Sequence, residues 1–134
     1  MPVRRTETLL IRTSADIVAA RQIVRTWCVD VAFSLVDQTK MVTAASELAR
    51  NTLDYGGGGT LLLEQLDEGT RRGVRLTFDD KGPGIPDIDR ALQDGYTSGN
   101  GLGLGLGGAR RLVNDFRISS TVGGGTTVVI TRWK

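Results

Sequence analysis

Hydrophobic and polar positions follow two different periods along the first half of the chain. Residues 6–13 alternate between the two types, which predicts a strand. Apolar positions recur at helical spacing over residues 14–31, where Ser14 is a candidate N-cap, and again over residues 38–55. Four consecutive glycines, residues 56–59, cannot sustain a helix, so they are expected to end the second one.

The second half of the chain predicts further strands and helices around glycine-rich loops. The strands are residues 60–66, 73–78, 117–122 and 126–132. The helices are residues 86–93 and 109–116, with Phe116 among the inward-facing side chains of the latter. This order predicts an α+β fold, a two-layer sandwich in which a mixed, mostly antiparallel sheet carries helices on one face. Residues 1–134 are predicted to form one domain.

Composition narrows the class of protein. The 134 residues are 40% hydrophobic and 24% charged, with a net charge of +2, and the arginines occur as separated pairs. This balance gives no reason to expect nucleic acid as a partner. No apolar run is long enough for a signal peptide or a membrane span, so a soluble cytoplasmic protein with no membrane partner is expected.

Two residue types limit the chemistry. Cys28 is the only cysteine, so an internal disulfide is excluded, and we expect a buried, inert thiol. Histidine is absent. A histidine phosphoacceptor, a Ser-His-Asp triad and a His-ligated zinc site are therefore excluded within this chain.

A carboxylate and two glycines follow the third predicted strand as Asp80-Lys-Gly82-Pro-Gly84. A carboxylate at a strand end can accept a hydrogen bond from an exocyclic amine such as that of adenine. Glycines let the backbone pass close to a flat ring. Gly-Pro-Gly is also an ordinary turn signal, so this motif alone leaves both interpretations open.

A glycine-rich stretch runs from Gly101 to Gly108 into a helix, with leucines alternating between the glycines. Backbone N–H groups at a helix N-terminus suit phosphate. The stretch formally contains a dinucleotide-binding pattern, but a loop precedes it where that motif needs a strand, so we reject that interpretation. No Gly-Lys-Ser/Thr follows any glycine run, which excludes a P-loop.

Glu47 and Asn51 lie four residues apart on the second predicted helix, which places them on one face. A carboxylate there can act as a general base toward a hydroxyl. The amide oxygen beside it can help hold Mg²⁺ against phosphates. A solvated polar helix face is the alternative interpretation of this pair.

These elements occur in order, Glu47-Leu-Ala-Arg-Asn51, then Asp80-x-Gly82-x-Gly84, then Gly101-x-Gly103-x-Gly105, then Gly125-Thr126. The combination resembles the N box and G boxes of the GHKL, or Bergerat-fold, ATPase superfamily. Within it, residues 46–51, 80–87 and 105–112 are similar to the RsbT-type switch-protein kinases of bacterial stressosomes. Anti-sigma-factor kinases usually have a His-Gly pair after the N-box Asn, whereas here Thr-Leu-Asp-Tyr-Gly follows.

The resemblance implies ATP and Mg²⁺ as cofactors and gives roles to the matching residues. Asn51 would coordinate Mg²⁺, Glu47 would be the general base, and Asp80 would bind the adenine amine. The remaining cofactor-binding positions that it implies are Gly82, Gly84, Gly101, Leu102, Gly103, Leu104, Gly105 and Thr126. Gly84 would line the base pocket, the glycines from 101 to 105 would contact the phosphates, and Thr126 would support Asp80. Lys81 receives no role.

The function implied is a serine/threonine-protein kinase. In the RsbT-type family the acceptor is a STAS-domain scaffold or antagonist, and the freed kinase then activates a PP2C-type phosphatase regulator. An anti-sigma factor or nucleotide-gated adapter that acts by binding is the alternative. A chaperone or topoisomerase ATPase would need a transducer domain, and a histidine-kinase fragment would need a histidine and a dimerisation helix pair. The sequence leaves open whether the chain forms a homodimer.

Overall fold

A computed structural model describes residues 3–93 and 105–134. Five strands and four helices occur within these two ranges. The elements are β1 (Val3–Ile11), α1 (Ser14–Asp30), α2 (Leu35–Asp54), β2 (Gly59–Glu68), β3 (Arg71–Asp80), α3 (Ile88–Ala91), α4 (Gly105–Arg111), β4 (Asp115–Thr121) and β5 (Gly125–Trp133).

The strands form one sheet in the order β1-β2-β3-β5-β4, and each neighbouring pair is antiparallel. The α+β prediction with a mostly antiparallel sheet is confirmed, and no parallel pair occurs among the described strands. The register sets Thr126 of β5 opposite Asp80 on one side and opposite Ser120 of β4 on the other. Three polar residues, one from each of three strands, therefore meet in one row across the sheet.

The core lies between the sheet and the two long helices. Apolar side chains at alternate positions of β2, β3 and β5 are buried, as the period of a strand requires. They belong to one cluster with the buried face of α1 and α2. The strand contribution is Leu61, Leu63, Val74, Leu76, Phe78, Val128 and Ile130. The helices contribute Ile17, Ala20, Val24, Trp27, Met41, Ala44, Ala45 and Leu48.

The N-termini of both long helices differ from the prediction, in the capping residue of α1 and in the first residue of α2. Thr13, rather than Ser14, caps α1, because its hydroxyl accepts from the Asp16 N–H while the Asp16 carboxylate accepts from the Thr13 N–H. Helix α2 begins at Leu35, three residues before the predicted start at Gln38, because the Ser34 hydroxyl accepts the Asp37 N–H. The predicted connection at residues 34–37 was thus wrong, and the chain turns at residues 31–34.

The last helix differs most from its prediction. Helix α4 spans Gly105–Arg111 rather than residues 109–116, so it begins inside the glycine-rich stretch. Phe116, predicted to be helical, lies in β4 and alternates there with exposed neighbours. The two consecutive glycines at 107 and 108 have low helix propensity, so the sequence did not predict a helix there. Packing of α4 against α2 supports the helix.

Two expectations from composition concern burial. Cys28 is fully buried in the core, and burial raises the pKa of its thiol to about 12. The thiol therefore stays protonated at neutral pH. The prediction that Cys28 is buried is confirmed. In the two described ranges, no helix is both long and apolar enough to cross a membrane.

Candidate functional site

The end of α2 meets the end of β3 at a close contact of glycine backbone. The Asn51 carbonyl accepts the N–H groups of Tyr55 and Gly56 at 3.0 and 3.2 Å, which closes the helix. Gly56 then lies against the Asp80 carboxylate, and a methyl group at position 56 would collide with it. Gly82 packs on the Gly56 backbone in the same way. The structure therefore brings the Asn51 end of α2 to the Asp80 motif, although they are far apart in sequence.

The Asp80 side chain, at the end of β3, is buried, with 7% of the residue exposed. Hydrogen bonds from the loop that follows and from β5 hold it in place. Its Oδ1 atom accepts the Gly82 N–H at 2.9 Å and the Thr126 N–H at 3.2 Å. These two hydrogen bonds fix the direction of the carboxylate. The Oδ2 atom lies beside the Gly56 backbone, which can approach the carboxylate this closely because glycine has no side chain.

Residues 81–85 form a loop held against the turn between β4 and β5. The Gly123 N–H donates to the Pro83 carbonyl at 2.7 Å, and the Ile85 N–H donates to the Ser120 hydroxyl at 2.7 Å. Gly84 has φ of +80° and presses on the Thr121 carbonyl, so both its conformation and its surroundings exclude a side chain. Ser120 was not predicted as a site residue. Ser120 lies on the same, less exposed side of β4 as Phe116 and Ile118. A polar residue that continues this apolar alternation was the sequence signal that could have revealed it.

Glu47 and Asn51 both lie on α2 and are partly buried, as their spacing predicts. The Glu47 side chain is 14% exposed, and its Oε1 is 3.8 Å from Nη1 of Arg50. Four residues separate Asn51 from Glu47, so Asn51 is one helical turn nearer to Gly56 and Asp80. The polar face of α2 thus leads from the Asp80 carboxylate toward Glu47.

The glycine-rich stretch is described only from Gly105 onward. The predicted phosphate-contacting positions Gly101, Leu102, Gly103 and Leu104 lie outside the described residues. Gly105 is the first residue of α4, and this helix packs against α2. Gly107 of α4 sits against the Leu92 carbonyl so closely that a side chain would not fit. The end of the stretch is therefore beside the helix that carries Glu47 and Asn51.

The donor set of the site suits a metal ion that is held mainly by its substrate. Among residues 3–93 and 105–134, no three acidic, Cys or His side chains are grouped to hold a metal ion by themselves. Mg²⁺ commonly takes one or two protein oxygens and completes its octahedron with water and phosphate oxygens. The amide oxygen of Asn51 fits that requirement, and Asn51 is the residue that would hold the ion.

Comparison with known proteins identifies the family. A family model described as histidine kinase-, DNA gyrase B-, and HSP90-like ATPase matches residues 36–134, which include all of α2 but its first residue, the Asp80 loop and β5. The chain belongs to this family. The GHKL ATPases, as the family is also called, share the fold predicted above, and that prediction is confirmed.

A curated member of the GHKL family resembles the chain over nearly its whole length. Serine/threonine-protein kinase RsbT of Bacillus subtilis (strain 168) is 42% identical over 123 residues, which cover 92% of each chain. The prediction of an RsbT-type protein, and of a serine/threonine-protein kinase as the enzyme class, is confirmed by this relative together with the family. The individual roles of the site residues stay predictions.

Two solved structures share the fold at lower identity. The crystal structure of the RsbU and RsbW domains of Rv1364c from Mycobacterium tuberculosis matches with a TM-score of 0.67 and 22% identity. This match covers 98% of the chain but 33% of that structure, so the chain spans about a third of its length. A structure of the mycobacterial sensor histidine kinase MprB matches with a TM-score of 0.57 and 20% identity, covering 96% of the chain and 97% of the chain in that structure. At these identities the two structures show the fold alone.

Proposed function

We propose that this kinase transfers the γ-phosphoryl group of ATP to a serine or threonine of a STAS-domain protein in a bacterial partner-switching pathway. The freed kinase then activates a PP2C-type phosphatase regulator, in the cytoplasm. The observation that carries the nucleotide site is the contact of Gly56 with Asp80. It joins a fixed, buried carboxylate to the C-terminal end of α2, where the Asn51 carbonyl accepts the Gly56 N–H. The length-matched resemblance to a serine/threonine-protein kinase supports the reaction.

Asp80 is proposed to bind the adenine base. Its Oδ1 is occupied by two backbone N–H groups, which leaves Oδ2, beside Gly56, to accept the exocyclic amine. A hydrogen bond to a charged acceptor is worth about 1.5–3 kcal/mol, enough to matter for nucleotide affinity. Thr126 supports this arrangement through its backbone, since its N–H fixes the carboxylate.

Glu47 is proposed to act as the general base. The acceptor hydroxyl donates its proton to the Glu47 carboxylate while its oxygen bonds to the γ-phosphorus. The bond from that phosphorus to the bridging oxygen breaks, and ADP leaves. Mg²⁺ bound at Asn51 would neutralise charge on the phosphates. The side chain of Glu47 is 14% exposed, so a hydroxyl from a partner protein must enter the site to reach it.

The test is phosphotransfer from labelled ATP·Mg²⁺ to the STAS proteins of the same cell, followed by mapping of the phosphorylated residue. We expect label on a serine or threonine of one STAS protein. Asn51→Ala should weaken Mg²⁺-dependent ATP binding and transfer more than metal-free ADP binding. An equal loss of both would indicate a structural role for Asn51. Nucleotide binding with no transfer, and capture of a sigma factor, would favour the alternative that the chain regulates by binding.

A further inference from the structure

The Ser120 hydroxyl lies within hydrogen-bonding distance of three groups. Its oxygen accepts the Ile85 N–H at 2.7 Å, lies 3.2 Å from the Gly125 carbonyl and is 2.8 Å from the Thr126 hydroxyl. A serine hydroxyl has one proton, so donation to the Gly125 carbonyl leaves the Thr126 hydroxyl to donate to Ser120. One side chain on the edge strand β4 thereby contacts both the 81–85 loop and β5.

The 81–85 loop is held at three points along its length. At its start the Gly82 N–H binds Asp80, in its middle the Pro83 carbonyl accepts the Gly123 N–H, and at its end Ile85 binds Ser120. The middle contact joins backbone to backbone. Two side chains therefore take part in these three contacts, Asp80 at the start of the loop and Ser120 at its end. Ser120 is the one that comes from a different strand.

Ser120 also reaches the second donor to Asp80. The Thr126 backbone N–H binds the Asp80 carboxylate, and the hydroxyl of the same residue binds Ser120. Loss of the Ser120 hydroxyl would leave the Ile85 N–H without this acceptor and the Thr126 hydroxyl without this partner. Both changes fall on the two segments that hold Asp80, and the cost of leaving buried donors unpaired opposes the ordered loop.

We propose that Ser120 is a positioning residue for nucleotide affinity. It holds the 81–85 loop and Thr126 in the arrangement that presents Asp80 to the adenine base. This inference rests on the proposed nucleotide site, with Asp80 as the adenine acceptor. Ser120 contacts neither α2 nor the polar face that carries Glu47 and Asn51 in these hydrogen bonds. Its effect belongs to binding of the nucleotide rather than to transfer of the phosphoryl group.

The experiment compares ADP affinity and transfer kinetics of Ser120→Ala with those of the original protein. We expect Ser120→Ala to weaken ADP binding about five- to twentyfold, the range that corresponds to one lost buried hydrogen bond. The KM for ATP should rise by a similar factor, while kcat at saturating ATP stays within about twofold. Ser120→Thr, which keeps the hydroxyl on a residue that suits a strand, should restore most of the affinity.

Two comparisons separate positioning from general destabilisation. Ser119→Ala removes a hydroxyl from the exposed neighbour on the same strand and should leave ADP affinity unchanged. Hydrogen exchange of the Ile85 amide should accelerate in Ser120→Ala, because its acceptor is gone, while amides of the α2 interior keep their protection. If Ser120→Ala does not fold, Ser120→Cys is used in the same ADP titration, since a thiol is similar in shape to the serine hydroxyl but accepts hydrogen bonds weakly.

The outcomes distinguish this inference from the proposed function. ADP affinity that stays at the original value in Ser120→Ala, or in Ser120→Cys where that variant is used, would overturn the positioning role. An equal fall of kcat and kcat/KM would also overturn it. Weak binding by Asp80→Asn together with normal binding by the Ser120 variant would leave the nucleotide site standing and remove Ser120 from it. A folded original protein that binds no adenine nucleotide would overturn both.

Discussion

At the scale of single residues, two neighbouring carboxylates on β3 are expected to behave differently. Asp80 is buried and fixed by backbone N–H groups, whereas Asp79 lies on the other side of the strand, 40% exposed, and accepts the Thr127 hydroxyl at 2.8 Å. Asp80→Asn should weaken ADP binding by about 1.5–3 kcal/mol, because the adenine amine would lose the charged acceptor proposed for it. Isothermal titration with Asp79→Asn as the matched control measures this. Equal ADP affinities of a folded Asp80→Asn and the original protein would remove Asp80 from the base pocket.

Glu47 is expected to affect the transfer step and not nucleotide affinity. Glu47→Gln removes the proposed proton acceptor but keeps the size of the side chain. Phosphorylation of the proposed STAS partner should therefore slow at least about tenfold, a conservative part of the range for general-base assistance. Single-turnover transfer at saturating ATP and partner is the measurement, and ADP affinity should not change. Glu7→Gln on the exposed strand β1 is the control. A transfer rate equal to the original would reject Glu47 as the base.

The sequence singled out candidate site residues where a motif carried them. Asp80 and Gly84 belong to a spaced pattern of a strand-end carboxylate and nearby glycines, and Thr126 was implied by the family resemblance. Ser120 was not found, since its role depends on the register that places it opposite Thr126, and register is a property of the assembled sheet. Gly56 was interpreted only as a helix terminator. Its contact with Asp80 depends on how α2 packs on β3.

At the scale of elements, the connection between α1 and α2 contains a residue in an unfavourable conformation. Ala32 has φ of +66°, and the Phe33 N–H closes the helix end on the Cys28 carbonyl. A left-handed residue at this position of a helix terminus is usually glycine. Ala32→Gly should therefore stabilise the protein by about 0.5–1 kcal/mol, the left-handed strain of alanine less the extra unfolded-state entropy of glycine. Urea denaturation measures this, and Ala19→Gly, in the exposed interior of α1, should destabilise by a similar amount.

The start of α2 is fixed to β5 by an ion pair that gives a pH dependence. Oδ1 of Asp37 is 2.6 Å from Nη2 of Arg132, and this hydrogen bond lowers the pKa of the Asp37 carboxyl below its usual value. A lowered folded-state pKa means that the stabilisation is present above the unfolded pKa, about 3.9, and is lost as the pH falls through the folded value. The stability difference between the original protein and Asp37→Asn should be constant near neutral pH and vanish in acid. A difference that persists unchanged below pH ~3 would contradict this assignment.

The sequence predicted which helices and strands occur more accurately than it predicted the residues at which they begin and end. The α1 and α2 stripes were long enough for periodicity to reveal them, but capping by Thr13 and Ser34 set starts that periodicity does not specify. Strands β2 and β3 extend by pairing beyond their apolar centres, from Gly59 to Glu68 and from Arg71 to Asp80. Helix α4 was misplaced because its stability comes from contact with α2 and not from its own glycine-rich sequence.

At the scale of the whole molecule, a nucleotide should stabilise the fold by linking its two layers. Its proposed contacts lie on α2 and on β3, so binding requires the folded arrangement of both. Adenine nucleotide at about one hundred times its Kd should add about 2.7 kcal/mol of stability, which is roughly a 10 °C rise in Tm for a domain of this size. Thermal unfolding with and without ADP measures the rise, and Asp80→Asn at the same ADP concentration should show much less of it.

The fold was predictable from the order of elements together with four motifs in sequence, because each motif has a fixed place in the GHKL architecture. The strand order β1-β2-β3-β5-β4 and the direction of each pair were not predictable from periodicity alone. Pairing of β3 with β5 joins segments far apart in the chain, and no local signal specifies such a partner.

The position of β1 at one edge of the sheet also affects how copies of the chain behave when crowded together. An edge strand offers unpaired backbone groups to any other strand, which is a common route to aggregation. Here the edge carries Arg4, Arg5 and Glu7, and its register slips between Val3 and Arg5. Charged side chains and an irregular register oppose the addition of a foreign strand. These three side chains thus help the kinase to stay dispersed at high concentration, a benefit separate from any part in binding or catalysis.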